Sequence, residues 1–553
     1  MSVEKLIVDH METWTSTLQT RSTAGRGSSG KIDLYGIKKL RELILELAVR
    51  GKLVPQDPND EPASDLLKRI AAEKAELVKQ GKIKKQKPLP EISEEEKPFE
   101  LPEGWEWVHL PDIYCSISES SRKIKSSEIL PEGKYPVIEQ SQEFISGYCN
   151  NECLLIKLNN PVIVFGDHTR NIKFIDFDFV VGADGVKILS PILICERFFF
   201  WQLRSFKLDV RGYARHFKVL NSCLFALPPI AEQERIVEKV SSLMSLCDQL
   251  EQQSLTSLDA HQQLVETLLG TLTDSQNTAE LAENWARISE HFDTLFTTEA
   301  SVDALKQTIL QLAVMGKLVP QDPNDEPASE LLKRIAQEKA QLVKEGKIKK
   351  QKPLPPISDE EKPFELPEGW EWCRIGNIVN IKSELVSPKD YLNLYQVAPD
   401  IIEKGTGRVI SKRTVKESGV KGPNSRFYKG QIVYSKIRPS LSKVFLAEYN
   451  GLCSADMYPL DCYINPNYLL KYILSIPFLM QVKKAENRIK MPKLNSDSFY
   501  NIIVAIPPYN EQQAIFDKIN SIEAVCNGLI SYIGIYHKTQ LHLADALPDA
   551  AIN

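Results

Sequence analysis

Apolar residues recur at helical spacing in four stretches of the chain. After a Pro-Pro pair, Ile236, Val240, Leu243, Cys247 and Leu250 advance in 4-3 heptad steps, and the stripe continues less cleanly through Leu258, Leu264 and Leu268. A longer stripe, Ile515, Ile519, Ile522, Cys526, Leu529, Ile533, Tyr536, Leu543 and Leu547, keeps one seam over about four heptads. Shorter seams stand at Ile37, Leu40, Ile44, Leu47 and at Val302, Leu305, Ile309, Leu312. A single amphipathic stripe ordinarily packs on its own domain. Long and short seams in duplicate instead predict helices that pair, with the two long ones running antiparallel between two globular modules. The segments between them carry short strand patterns, VIVFG (162–166), FDFVVGADGVKIL (177–189), QIVYSKI (431–437) and NIIVAI (501–506), with helical candidates near 192–207 and 467–485. The expected class is α+β: two mixed α/β modules separated by long antiparallel coiled-coil-like helices.

The same pattern occurs twice because the sequence does. Residues 51–107 recur as 316–372 with six differences in 57 positions. LPPIAEQERIVEKVSSLMSLCDQL (227–250) aligns with IPPYNEQQAIFDKINSIEAVCNGL (506–529), and IVDHMETWTST (7–17) with ISEHFDTLFTT (288–298). The chain is therefore a tandem, pseudo-two-fold repeat. An extra Gly/Ser-rich segment in the first copy, RSTAGRGSSGK (21–31), reads as a flexible linker. Five segments follow: a helical region 1–107 that includes this linker and a charged connector 56–100; a variable module 108–225; a central helical region 226–372; a second variable module 373–505; and a C-terminal helix 506–553. The variable modules show no evident similarity to each other. Near-identical flanks around unlike interiors predict that the flanks meet two copies of one thing and the interiors meet two different things.

Composition changes this picture in one respect. The net charge of −5 is uneven: residues 108–225 carry +1, residues 373–505 carry +10, and the remainder carries −16. A basic segment inside an acidic chain has the electrostatic character of a nucleic-acid footprint. The ten Cys form no Cys-x-x-Cys pair, as expected of reduced thiols. No stretch approaches the ~18 uninterrupted apolar residues of a membrane span, and Met1 to His10 has no basic run leading into an apolar one. The expectation is a soluble, cytoplasmic protein with no membrane association.

Two apparent catalytic signatures fail on chemistry. GRGSSGK (25–31) has phosphate-loop spacing, but Ile32 replaces the hydroxyl residue that would ligate Mg²⁺, and no strand precedes it. Pro507-Pro508-Tyr509 has the shape of an amino-methyltransferase motif, yet Ile506 stands where a hydrogen-bonding side chain is required. Both Pro-Pro pairs are expected to mark a strand running into a helix. No metal-ligand spacing or nucleophile elbow is present, so no catalytic, cofactor-binding or metal-binding residue is assigned.

Leu101-Pro102-Glu103-Gly104-Trp105 opens the first variable segment and Leu366 to Trp370 the second. Leu227-Pro228-Pro229 with Glu232-Gln233, and Ile506-Pro507-Pro508 with Glu511-Gln512, close them. These paired borders, with long helices behind each, resemble those of specificity subunits of type I restriction-modification systems, over essentially the whole chain. The resemblance implies two target recognition domains reading a bipartite asymmetric site on double-stranded DNA. It also implies a complex with two methyltransferase subunits, which use S-adenosylmethionine to methylate adenine, and with restriction/translocase subunits that use ATP and Mg²⁺. The chain itself would be non-catalytic and bind no cofactor. Its departure from the minimal pattern is the charged block 56–100, repeated at 321–365. Thr278-Ala279-Glu280-Leu281, in the central connector, resembles units that set half-site spacing in related subunits.

Basic and amide side chains that could contact DNA cluster in the variable modules. In the first they are Arg122, Lys123 and Lys125; His168, Arg170, Asn171 and Lys173 after a strand; and Arg211, Arg215 and Lys218, with Tyr213 and His216 among them. In the second they are Arg426, Lys429, Lys436, Arg438 and Lys443, then Arg488, Lys490 and Lys493. Arg can hold guanine and Asn adenine bidentately, although any one of these residues could equally belong to a solvated loop. Lys436 and Arg438 alternate with Tyr434 and Ile437 as on a strand, which predicts that they share one face. The basic stretch GKIKKQKP (81–88) is followed at once by acidic residues, so partner contact is expected there rather than DNA contact. The competing readings are a methylation-only complex, a catalytic single-chain DNA methyltransferase or nuclease, which would bind S-adenosylmethionine tightly by itself, and a coiled-coil scaffold without sequence-selective DNA binding.

Overall fold

A computed structural model describes residues 3–21, 31–117, 123–182, 185–208, 215–485 and 492–552. The chain divides into two compact units, Met1–Ser257 with Tyr536–Asn553, and Leu258–Ile535.

In the first unit, helices Val3–Asp9 and Met11–Ser16 bury Trp14 completely. Helix Tyr35–Val49 follows and buries the expected seam of Ile37, Leu40, Ile44 and Leu47. Its Gly36 is required by close approach, since a Cβ there would sit 2.4 Å from the Trp14 carbonyl oxygen. The segment read as a linker has paired ends: strands Leu18–Arg21 and Lys31–Leu34 run antiparallel with Arg21 opposite Lys31. It is thus the connection of a hairpin, and its interior, like residues 25–30 of the rejected phosphate loop, lies outside the described residues. Helix Ala63–Lys79 buries only Ala63, Leu66 and Ile70, in its first two turns.

The first variable module contains two four-stranded sheets. One has the order Tyr114–Ile117, Val186–Pro191, Val162–Gly166, Ile172–Ile175; the other Gly147–Cys149, Tyr135–Ile138, Phe179–Val181, Leu155–Ile156. Val162–Gly166 is buried at every position, and helix Glu196–Ser205 packs beside its sheet.

The second variable module, in the other unit, also has two four-stranded sheets, and the first of them repeats the order of its counterpart. Its sheets are Val379–Ile381, Met457–Cys462, Ile432–Ser435, Val444–Leu446 and Glu384–Val386, Asn424–Phe427, Gly451–Ser454, Tyr395–Val397. The second sheets each hold one parallel pair, Tyr135–Ile138 with Phe179–Val181 and Tyr395–Val397 with Gly451–Ser454, but it joins the two inner strands in the first module and reaches the sheet edge in the second. Two interiors with no evident sequence similarity therefore share the strand order of one sheet, in keeping with the expected pair of mixed α/β modules. The helical candidate 467–485 is two helices, Pro466–Ile473 and Ile476–Ala485.

The border motifs close each module at its base. Strand Glu106–His109 pairs antiparallel with Leu224–Leu227, and Glu371–Arg374 with Ile503–Ile506. Trp105 Nε1 donates to Glu232 Oε2 at 2.9 Å while Gln56 Nε2 donates to Oε1 at 3.1 Å. Trp370, Gln321 and Glu511 repeat this at 2.9 and 3.2 Å. Glu232 and Glu511 are 1% and 4% exposed. The next residue serves the module: Gln233 accepts from Cys195 N and donates to Pro228 O, while Gln512 accepts from Asn465 N and donates to Pro507 O. Each pair thus joins the border strands to the start of the module's own helix.

The Pro-Pro pairs do run from strand into helix, here the two long helices Ile230–Asp274 and Tyr509–Ile552. Their seams are not continuous. Ile236, Val240, Leu243 and Cys247 are buried as expected, but Leu264 is 51% exposed and Val265, Leu269 and Leu272 turn inward instead. The C-terminal helix slips likewise, burying Ala544 while Tyr536 and Leu543 are exposed. The reason is a change of packing partner. Within the second unit, Val265, Leu269 and Leu272 join one core with Ile288, Val302, Leu305, Ile309, Cys526 and Ile533, so a strict heptad seam against one helix does not apply. Thr278 to Leu281 form the first turn of a separate helix, Thr278–Glu290, capped by the Asn277 side chain accepting from Glu280 N. They do not extend the long helix.

Trp105→Phe and Trp370→Phe each remove an indole donor and leave a buried carboxylate oxygen unpaired, so each should lower the stability of its own unit by about 1–3 kcal/mol, and by similar amounts because the geometry is repeated. Denaturant titration with hydrogen exchange on the two border strands checks this. Burial raises the carboxyl pKa of both Glu232 and Glu511. Their contribution to stability is therefore fullest below the unfolded carboxyl value of about 4.3 and declines as pH rises through the raised folded value.

Candidate nucleic-acid interface

In the first module the residues after the central strand form a tight turn. Arg170 N donates to Gly166 O at 2.7 Å and Gly166 N to Asn171 O at 2.8 Å. Gln140 staples it: its side chain accepts from His168 N, and its carbonyl accepts from Thr169 Oγ1 and Asn171 Nδ2. Buried Asp167 then binds a distant segment, its carbonyl accepting from His216 N at 2.8 Å and its carboxylate from Phe217 N at 2.8 Å. Two clusters far apart in sequence, 168–173 and 215–218, are so brought together. Arg215 and Lys218 are exposed beside this junction, as are Lys123 and Lys125 elsewhere on the module. Arg122, Arg211 and Tyr213 lie outside the described residues.

The turn borders a groove of about 610 Å³ lined by Thr169, Arg170, Asn171, Arg204 and Lys207 among others. The Arg170 guanidinium donates to Leu208 O at 2.8 Å, and that of Arg204 lies 5.5 Å from the Trp201 ring. Gln140, Arg204 and Lys207 went unrecognised in the sequence because they sit in different elements from the turn, with no spacing rule connecting them. Lys173 departs from expectation. It is 6% exposed and its ammonium donates to the carbonyls of Glu139 at 2.8 Å, Phe144 at 3.4 Å and Glu143. It organises the module rather than facing outward, and burial lowers its pKa.

The corresponding turn of the second module joins strands Ile432–Ser435 and Val444–Leu446, and it too is tied to a distant segment. Arg438 N donates to Pro492 O and Leu494 N to Lys436 O, both at 2.9 Å. The cluster 436–443 is thereby brought to Lys493; Arg488 and Lys490 lie outside the described residues. The expected shared face of Lys436 and Arg438 is not formed, because the strand ends at Ser435. Lys436 turns back to donate to Ala455 O at 2.8 Å and lies 3.7 Å from Asp456, which Lys493 also approaches at 3.3 Å. Lys443 donates to Pro399 O, and Arg426 lies over Tyr391 and Tyr428 near Glu384. Arg438 and Lys429 are exposed. Arg438 has left-handed backbone at φ 47°, as Arg170 does at 63°. Such a conformation strains a non-glycine residue by about 1–3 kcal/mol.

Among the described residues no group of three or more His, Cys, Asp or Glu is placed to hold a metal ion, and no helix is long and apolar enough to cross a membrane. What the fold presents is two homologous modules, each exposing basic side chains around one turn and closed by the same repeated borders. They are DNA specificity domains: the family described as "Type I restriction modification DNA specificity domain" matches residues 102–260 and 367–533. Over its full length, and that of each relative, the chain is 51% identical to the type I restriction enzyme EcoAI specificity subunit and 48% identical to the EcoEI specificity subunit, both of Escherichia coli. The HsdS subunit from Thermoanaerobacter tengcongensis, of known crystal structure, aligns with 83% of this chain and 98% of its own at 16% identity and a TM-score of 0.38. The chain belongs to the family of type I restriction enzyme specificity subunits, whose role is DNA recognition rather than catalysis.

Lys173→Met should act on folding, lowering the stability of the first unit by about 1–3 kcal/mol through the carbonyls it leaves unpaired. DNA affinity per folded molecule should be unchanged, which binding titrations corrected for the folded fraction would show.

Proposed function

We propose that this chain reads a bipartite asymmetric site on double-stranded DNA, with 108–225 and 373–505 as target recognition domains, one for each half-site. The supporting observation is the contrast between sameness and difference: one sheet order and one turn-and-segment junction in both modules, in interiors with no evident sequence similarity. Phosphate contacts by exposed cations supply affinity, and base-edge contacts from the turns supply sequence. The +10 charge of 373–505 favours the encounter.

The partners in this reading are two methyltransferase subunits, which carry S-adenosylmethionine, and nuclease-translocase subunits, which use ATP and Mg²⁺ in the cytoplasm. The chain itself supplies neither chemistry. Two copies of one partner are supported by a duplicated surface. Phe99 and Trp107 meet at 4.9 Å beside a groove of about 750 Å³, and Phe364 and Trp372 meet at 5.0 Å beside one of about 560 Å³. The charged connectors 56–100 and 321–365 lead into these grooves, which fits partner contact. The long helices, with Thr278 to Leu281 beyond the first, act as spacers that set the gap between half-sites.

Replacing 108–225 by another domain with the same borders should change one half-site and leave the other intact, as mapping of methylated adenines in the host genome would show; a change in both halves would end the separate-reader model. Native mass spectrometry of the assembled complex should find two methyltransferase subunits per chain, and saturation at one would refute the symmetric docking.

A further inference from the structure

Four non-glycine residues among those described have left-handed backbone: Arg170, Leu193, Arg438 and Ser442. Three of them fall in just two turns, and the two turns occupy the same place in the two modules. Each joins the strand next to the sheet edge to the edge strand itself, Val162–Gly166 to Ile172–Ile175 and Ile432–Ser435 to Val444–Leu446. Each is also fastened from outside by the segment that precedes the module's last short helix, through Asp167 and His216 in one and Arg438 and Pro492 in the other.

Glycine adopts positive φ without steric penalty and is the residue a turn of this shape would select on backbone grounds alone. Arginine brings a penalty and a long charged side chain instead. The modules show no evident sequence similarity, so its appearance twice in this conformation at the same turn is not explained by shared local sequence. Local structure does not account for the side chain either. Among the described residues the Arg170 guanidinium spends one of its five donors, on Leu208 O at the rim of the groove, and Arg438 is exposed. Strain that persists against a cheaper residue points to a use for the side chain.

We infer that Arg170 and Arg438 are equivalent base-reading residues, one for each half-site, and that each binds the major-groove edge of a guanine through two parallel N–H donors to O6 and N7. The inference rests on the reading of the chain as the DNA-reading subunit of a methylating complex.

Substitution by glycine separates side chain from backbone. The full chain is assembled with its methyltransferase subunits, the wild-type site is mapped from its methylated adenines, and Arg170→Gly, Arg438→Gly, Arg170→Lys and Arg438→Lys complexes are compared by competition binding against duplexes changed one base pair at a time. Each glycine variant should melt no lower than wild type, because the left-handed backbone is relieved. Each should lose roughly 10- to 100-fold discrimination at a single G·C pair of one half-site, with the other half-site read as before. The lysine variants should keep the salt dependence of binding and lose the same discrimination, since an ammonium lacks the fork. Full discrimination retained at every base pair by a glycine variant overturns the assignment, and so does a uniform loss of affinity with a salt slope smaller by ~1, which marks a phosphate contact. Where a glycine variant fails to assemble, lysine decides, and a lysine complex that discriminates as wild type overturns the assignment. A wild-type complex without site-selective methylation would overturn the reading of the chain itself, an outcome distinct from all of these.

Discussion

The structure depends on a buried carboxylate held by an indole. Glu232 and Glu511 stand at the starts of the two long helices, and each accepts from a tryptophan that opens its module and from a glutamine that opens the charged connector. Burying a carboxylate is unfavourable unless its lone pairs are satisfied, so this contact specifies one alignment of three chain segments and penalises others. It places the long helix, the module's base and the repeated block in a fixed relation twice over. The glutamine after each carboxylate extends the constraint into the module by holding the backbone at Cys195 or Asn465.

The two copies preserve that relation through their differences. Two of the six substitutions in the repeated block exchange Glu76 and Gln80 for Gln341 and Glu345, and the same amide-to-carboxylate hydrogen bond forms in both, with donor and acceptor swapped. A third, Asp65 for Glu330, keeps its lysine partner. These three substitutions keep chemistry of the same kind in the same place, whereas on the turns of the modules the side chains themselves change.

Much of this was legible in the sequence. The repeat, the border motifs, the strand preceding each Pro-Pro pair and the helix following it all depend on short-range rules, and the family followed from them. The sheet order common to the two modules was hidden because a sheet core accepts many apolar side chains, so Val162 to Gly166 and Ile432 to Ser435 share burial without sharing sequence. The slipped seams at Leu264 and Leu543 were hidden because a helix that changes packing partner along its length need not keep one period. Counting cations also could not show that the ammonium groups of Lys173 and Lys436 donate to carbonyls of other elements. Conversely, nothing in a sequence marks a left-handed arginine; only the backbone of Arg170 and Arg438 does so.

Because the border strands pair antiparallel, the chain leaves each module beside the point where it entered. The excursions closed in this way are 122 and 136 residues long, from Glu106 to Leu227 and from Glu371 to Ile506. Closure entropy grows only with the logarithm of loop length, so the longer excursion costs about 0.1 kcal/mol more. The length of a module is therefore nearly invisible to the thermodynamics of the frame that holds it. A lineage can replace the whole excursion, and with it the word that is read, without renegotiating the fold around it.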